Sequence, residues 1–260
     1  MAQTLFRLDG KTAFVSGSRG HLGAAMVRAL AEAGAHVIVN GRDAASLDGF
    51  AAGLKAQGFS IETAAFDAHD VAKIRGFFGG LKRLDVLVNN IGFMQGKSFD
   101  ALTPDDFAAT YAATVTTAFE SVRAALPALR AAVAASGDAS VINIASMYGQ
   151  VAPDARLYDS SAQQSPFHYG PAKAGLIQLS RHLAAELGPS KIRVNALVPG
   201  AFPQPGKMPA GLEERLAGKT MLGRIGVPAE IGGPLLFLAG PAARYVTGAS
   251  LNVDGGWTAW

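Results

Sequence analysis

The chain has 260 residues, 49% hydrophobic and 17% charged, with 31 glycines, no cysteine and a net charge of +3. So apolar a composition excludes a disordered chain, and the missing thiol excludes disulfides, redox pairs, cysteine nucleophiles and cysteine-ligated zinc. No apolar run nears the ~20 residues of a membrane span, no basic run invites nucleic acid, and the five histidines make no close ligand pair, so no metal site is expected. The first residues, MAQTLFRLDGK, lack the apolar stretch of a signal peptide, and a cytoplasmic location is expected.

Taken in chain order, short apolar runs alternate with longer Ala-rich stretches of helical period. A strand at 12–16 leads to a helix at 22–33, and a strand at 36–40 to a helix at 44–57. Strands at 60–66 and 85–89 are followed by helices at 71–82 and 104–135. Strands at 140–146 and 191–197 are followed by helices at 169–187 and 228–239, and a last strand covers 250–253. Near-continuous apolarity in the strands is the pattern of a sheet covered on both faces. The βα repeat predicts a doubly wound, seven-stranded parallel sheet in a three-layer α/β/α sandwich, Rossmann-like and in one domain over 1–260. In the helix at 104–135, Phe107, Tyr111, Val115, Phe119, Val122, Leu126 and Leu129 form one apolar stripe. The stripe packs on the sheet or on a partner subunit. Thr103 is its expected N-cap, and Pro127 is expected to kink or end it.

The first strand runs into Ser16-Gly17-Ser18-Arg19-Gly20-His21-Leu22-Gly23 and then into a helix. Glycines there permit a tight turn, backbone approach to a pyrophosphate, and close helix–strand packing. The helix N-terminus offers free N–H groups to the phosphates. The cofactor-binding candidates are therefore Gly17, Ser18, Arg19, Gly20, His21, Leu22 and Gly23. At the end of the second strand, an NAD site places a carboxylate for the ribose 2′-hydroxyl. This chain instead has Asn40 and Gly41, followed by Arg42, whose guanidinium suits the 2′-phosphate of NADP. Arg19 adds a second positive charge, and Asp43 reads as a helix N-cap. NADP(H) is thus favoured over NAD(H).

With these residues the chain resembles the short-chain dehydrogenase/reductase family from about residue 8 to residue 256. The glycine loop is similar to that family's TGxxxGxG, and Asn89-Asn90-Ile91-Gly92 to its NNAG. Ser146 follows the fifth strand, and Tyr169 and Lys173 match YxxxK. Pro199-Gly200 and Asp254-Gly255-Gly256 match the family's PG and DGG turns. The resemblance implies hydride transfer between a secondary alcohol and a ketone, with Tyr169 as acid/base, Lys173 lowering its pKa, and Ser146 polarising the carbonyl. It also implies that Asp67 contacts the adenine, that Asn89 braces the sheet edge, and that Asn90, Gly92, Pro199 and Gly200 line the cofactor. It further implies a substrate lid over 201–222 and a homotetramer built on the long helices. A Lys at i+4 lies on the Tyr face of a helix, where its ammonium favours a phenolate.

Four departures stand out. His21 takes the place of the family's middle glycine, and Thr114 that of its helical Asn. No Thr follows the PG turn. Ser146 and Tyr169 are 23 positions apart, so the intervening 147–168 stretch is longer than the family's, forming either a substrate wall or a surface excursion or subunit contact. Relatives with such insertions act on sugars and sugar acids, and a sugar-like small-molecule substrate is the resulting expectation. The alternatives are a 3-oxoacyl-thioester reductase, or a cofactor-binding sensor or scaffold.

Overall fold

A computed structural model describes residues 2–92, 96–160, 163–204 and 206–260, with the side chains of residues 2 and 3 left aside. Seven strands form one parallel sheet in the order β3-β2-β1-β4-β5-β6-β7. They are β1 (Thr12–Val15), β2 (His36–Gly41), β3 (Ile61–Ala65), β4 (Val86–Asn89), β5 (Ala139–Ile144), β6 (Ile192–Pro199) and β7 (Ser250–Val253). The helices are α1 (His21–Glu32), α2 (Ala44–Lys55), α3 (Val71–Gly79), α4 (Pro104–Tyr111), α5 (Thr117–Ser136), α6 (Tyr169–Leu187), α7 (Leu212–Lys219) and α8 (Gly232–Ala239). Five of the six expected helices hold within a few residues, and the long one over 104–135 is divided. The addition is α7, a short helix inside the expected lid.

Alternation along β1 shows how two cores arise. Successive strand side chains point to opposite faces. Val15 joins Met26, Leu30, Leu47 and Leu235 under α1, α2 and α8. Phe14 joins Phe78, Leu87, Leu129 and Leu187 under α3, α5 and α6. Its ring meets that of Phe78 edge-on, with centroids 4.9 Å apart. Each such fully buried side chain contributes about 1.5–3 kcal/mol.

The long helix expected over 104–135 is divided. Thr103 and Asp106 form a capping box at its start. A π-helical segment, Ala112–Thr116, then separates α4 from α5. Pro127 lies inside α5, which continues to Ser136 and stops at the left-handed Gly137. The apolar stripe also divides. Val115, Val122 and Leu129 are buried, whereas Phe107, Tyr111 and Phe119 stay 40–51% exposed.

Among the described residues no helix is long and apolar enough to cross a membrane. No His/Asp/Glu group among them is placed to hold a metal ion.

Candidate active site

The C-terminal ends of β1, β4, β5 and β6 open onto one cleft of about 460 Å³. It runs from Gly20, His21, Leu22 and Gly23 past Asn90 and Gly92 to Ser146, Tyr169 and Lys173, with Pro199 and Gly200 on its rim. The loop candidates and the catalytic candidates therefore face one space.

Each glycine has a distinct reason to be there. Gly17 adopts a left-handed φ of 61°. A Cβ on Gly23 would stand 2.2 Å from the Gly17 carbonyl oxygen, which is backbone and cannot yield. Gly92 backs onto Lys173, whose Nζ would lie 3.3 Å from an added Cβ. Gly20 is the N-cap of α1 and brings no side chain to its free N–H groups. His21 Nε2 is buried without a hydrogen-bond partner among the described residues. An open helix N-terminus and a cradle with no room for a Cβ suit the pyrophosphate of a dinucleotide. We predict that Gly23→Ala costs about 1–3 kcal/mol in overpacking. It should also abolish nucleotide affinity, as checked by thermal melting and fluorescence titration.

Two of the residues considered for the cofactor, Ser18 of the loop and Asn40 of β2, face inward. The Ser18 hydroxyl donates to the Val15 carbonyl at 2.6 Å and accepts from the Asn40 amide at 2.9 Å. Asn40, 1% exposed, donates its Nδ2 to the carbonyls of Ala64 and Phe66. Their side chains thus tie β1, β2 and β3 together, and the Ser18 amide donates to the Asn40 carbonyl at 3.0 Å. Asn90 likewise braces the glycine loop, donating Nδ2 to the carbonyls of Ser16 and Gly17. Asp43 caps α2 as expected, accepting from the Ser46 amide at 2.8 Å. Arg19 and Arg42 are exposed at the end of β2. Arg42 is near enough to Asp67 to help hold its carboxyl below the usual range, although the His69 amide does most of this.

Ser146 stands just past β5, where its Oγ accepts from the Tyr148 amide at 3.2 Å. Tyr169 opens α6. Burial raises its phenol pKa, and a hydrogen bond with Ser146 opposes that rise. Lys173 lies one turn on and is 4% exposed. Its Nζ is 5.7 Å from the Tyr169 ring centre and donates to the Ile144 carbonyl at 2.7 Å. Burial lowers its pKa to about 8. The expected lowering of the Tyr169 pKa is therefore not a property of the chain alone, because desolvating the phenolate outweighs what its neighbours return.

Sequence reasoning expected Asn89 to brace the sheet edge but missed two features, the continuation of that brace through Asn143 to Ser180 and a π segment. Asn89 donates to Asn143 Oδ1 at 2.8 Å, and Asn143 donates to Ser180 Oγ at 2.9 Å. This buried polar chain fixes β4, β5 and α6 together beneath the cleft. The second feature is the π segment. Thr117 Oγ1 donates to the Ala112 carbonyl, and the buried Thr114 hydroxyl meets no partner among the described residues. The sequence signal was Thr114 in place of the family's helical Asn.

The insertion is not a loose excursion. Asp154 caps the turn at Ala155–Leu157. Leu157 and Tyr158 pack with Met147, Leu212, Leu216 and Trp257. Arg215 of α7 donates to the Leu157 carbonyl at 2.7 Å and pairs with Asp159 at 3.0 Å. Residues 161 and 162 of this insertion, and residue 205 of the expected lid, lie outside the described residues.

The sheet order, glycine turn and single cleft define a Rossmann-fold protein of the nucleotide-binding, doubly wound class. The family described as Enoyl-(Acyl carrier protein) reductase matches residues 18–258. The chain is 36% identical to galactitol 2-dehydrogenase (L-tagatose-forming) of Cereibacter sphaeroides, over 99% of each chain. It is 34% identical to the rhamnolipids biosynthesis 3-oxoacyl-[acyl-carrier-protein] reductase of Pseudomonas aeruginosa, over 97% of this chain and 98% of the relative. A gluconate 5-dehydrogenase from Burkholderia cenocepacia, crystallised with NADP and tartrate, superposes over all of both chains with a TM-score of 0.88 at 29% identity. The chain belongs to the short-chain dehydrogenase/reductase family of oxidoreductases.

Proposed function

We propose that this chain is an NADP-dependent oxidoreductase interconverting a secondary alcohol and a ketone on a hydroxylated, sugar-like substrate. The observation that carries the reading is the single cleft holding both the glycine cradle and the Ser146–Tyr169–Lys173 group. When bound, the nicotinamide supplies or accepts the hydride. The chain's own residues position the carbonyl and manage its proton. Ser146 Oγ donates to the carbonyl oxygen and polarises it. Tyr169, held above the ordinary phenol range by burial, is protonated at neutral pH and ready to give its proton to that oxygen. This suits the reducing direction. Lys173 then offsets the charge left on the phenolate. The glycine loop and the α1 N-terminus hold the pyrophosphate, with Asp67 toward the adenine. Gly92, Pro199 and Gly200 border the nicotinamide end.

The relatives point both to polyol chemistry and to 3-oxoacyl thioesters. A thioester reductase is thus the second reading. A sensor or scaffold is disfavoured, because it would have no use for three converging catalytic groups. Absorbance of reduced nicotinamide, followed with both cofactors over hydroxyketones, plain ketones and 3-oxoacyl thioesters, tests the reading. No turnover of any ketone by protein that binds NADPH would overturn it.

Phe107, Tyr111 and Phe119 leave an apolar strip along α4 and α5 exposed. A monomer rarely leaves such a strip open to water, and we propose that a second copy of the chain covers it in a homotetramer. Tyr111→Glu should place an unpaired charge in that interface and yield a smaller species in sedimentation at micromolar concentration. A wild-type monomer would refute the assembly.

A further inference from the structure

The insertion meets a polar group beside the catalytic end that the proton chemistry does not use: Tyr148, two residues past Ser146, donates its amide to the Ser146 hydroxyl at 3.2 Å, and its phenol is near enough to Tyr169 to feel its charge. The Met147–Gly149 turn is pressed on the first turn of α6. A Cβ on Gly170 would stand 2.7 Å from the Tyr148 carbonyl oxygen, and one on Gly149 would stand 2.8 Å from the Lys173 backbone. Tyr148 is therefore pinned against the first turn of α6 by backbone contact. Its ring meets Trp257 edge-on, with centroids 6.5 Å apart. Its hydroxyl lies 2.6 Å from that of Tyr158, contributed by the insertion.

Two hydroxyls carry two hydrogens, and the bond between them uses one. Neither tyrosine hydroxyl has another hydrogen-bond partner among the described residues. One O–H donor and several lone pairs are left over. Burial also raises both phenols above their ordinary pKa, so the pair stays neutral over the physiological range. A neutral donor–acceptor pair suits an uncharged oxygen that both gives and accepts a hydrogen bond, which describes an alcohol. An analogue lacking that alcohol leaves the pair's polar groups unmatched, the arrangement that gives strong discrimination. The pair is also held firmly. Leu157 and Asp159, on either side of Tyr158, are both bonded to Arg215 of α7.

We propose that the Tyr148–Tyr158 hydroxyl pair is a specificity site that reads a substrate hydroxyl on a carbon beyond the reacting carbonyl. This rests on the oxidoreductase reading and narrows it to polyhydroxylated ketones and their alcohols, against plain ketones and acyl thioesters.

Erythrulose and 2-butanone share a four-carbon chain and a C2 ketone and differ in their hydroxyls. Wild-type enzyme should favour erythrulose at least tenfold in kcat/KM. Tyr158→Phe and Tyr148→Phe keep the rings and remove one oxygen each. Each should cut that preference at least fivefold, through a KM for erythrulose that rises more than the KM for 2-butanone. A merely structural pair would lower the melting temperature and leave the preference intact. Preference retained in both variants, or a wild type that favours 2-butanone or a 3-oxoacyl thioester, overturns the proposal. Failure of the oxidoreductase reading is seen separately, as no turnover of either ketone. Titration of the NADP complex with erythrulose, read by tryptophan fluorescence beside Tyr148, then decides. Saturable binding weakened at least fivefold in both variants supports the pair as a hydroxyl site, and absent or unaltered binding overturns it.

Discussion

Replacing Tyr169 with Phe is expected to lower kcat by about 10²–10⁴-fold, the usual contribution of a positioned acid or base. This corresponds to about 3–5 kcal/mol of barrier. The cofactor should still bind, because the glycine loop and the α1 N-terminus are untouched. Stopped-flow binding of NADPH together with steady-state reduction separates the two effects. A variant that keeps a tenth of wild-type turnover would show that another group carries the proton. The pH profile adds a second check. Lys173 titrates at about 8, so above that pH it no longer offsets a phenolate on Tyr169, and the reduction rate should fall. The same shift affects stability with a definite sign. Lys173 holds its proton less tightly folded than unfolded. Between pH 8 and the ordinary lysine range the unfolded chain therefore binds more protons, and this group's contribution to stability rises with pH.

Arg42→Ala is expected to weaken NADPH binding by about 10–100-fold and leave NADH binding nearly unaffected. The size follows from charge-assisted hydrogen bonds, worth about 1.5–3 kcal/mol each. Arg42 is exposed beside the end of β2, where Asn40 and Gly41 stand in place of a carboxylate, and Asp43 is engaged as the α2 cap. Arg19, on the glycine loop, is the second cation of this corner. The double variant should bind both cofactors with similar affinity. Fluorescence titration of reduced nicotinamide gives both constants directly. Equal weakening of NADPH and NADH by the single variant, or a wild type that binds NADH more tightly, would remove Arg42 from the 2′-phosphate role.

The sequence by itself determined the seven strands, their alternation with helices and the places of the glycine loop, Ser146, Tyr169 and Lys173. These are local matters. Apolar period reports which face is covered, and a turn that approaches a phosphate needs glycine whatever surrounds it. It also identified 147–168 as an addition, because the Ser146–Tyr169 spacing exceeds that of the family the chain resembles. Only the tertiary structure decided how those residues are used. Ser18 and Asn40 look like ligand contacts beside a glycine loop, yet their side chains bind backbone 3 to 26 positions away. The stripe on the long helix divides into a buried set, Val115, Val122 and Leu129, and an exposed set, Phe107, Tyr111 and Phe119, according to what packs against each face. The Tyr169 pKa rises because burial is set by the whole fold, whereas the Lys at i+4 is only one nearby charge. The insertion is fastened to α7 because Arg215, 58 positions beyond Leu157, bonds to its backbone. Each of these outcomes depends on groups far apart in the chain, and a pattern read along one strand or helix carries no record of them.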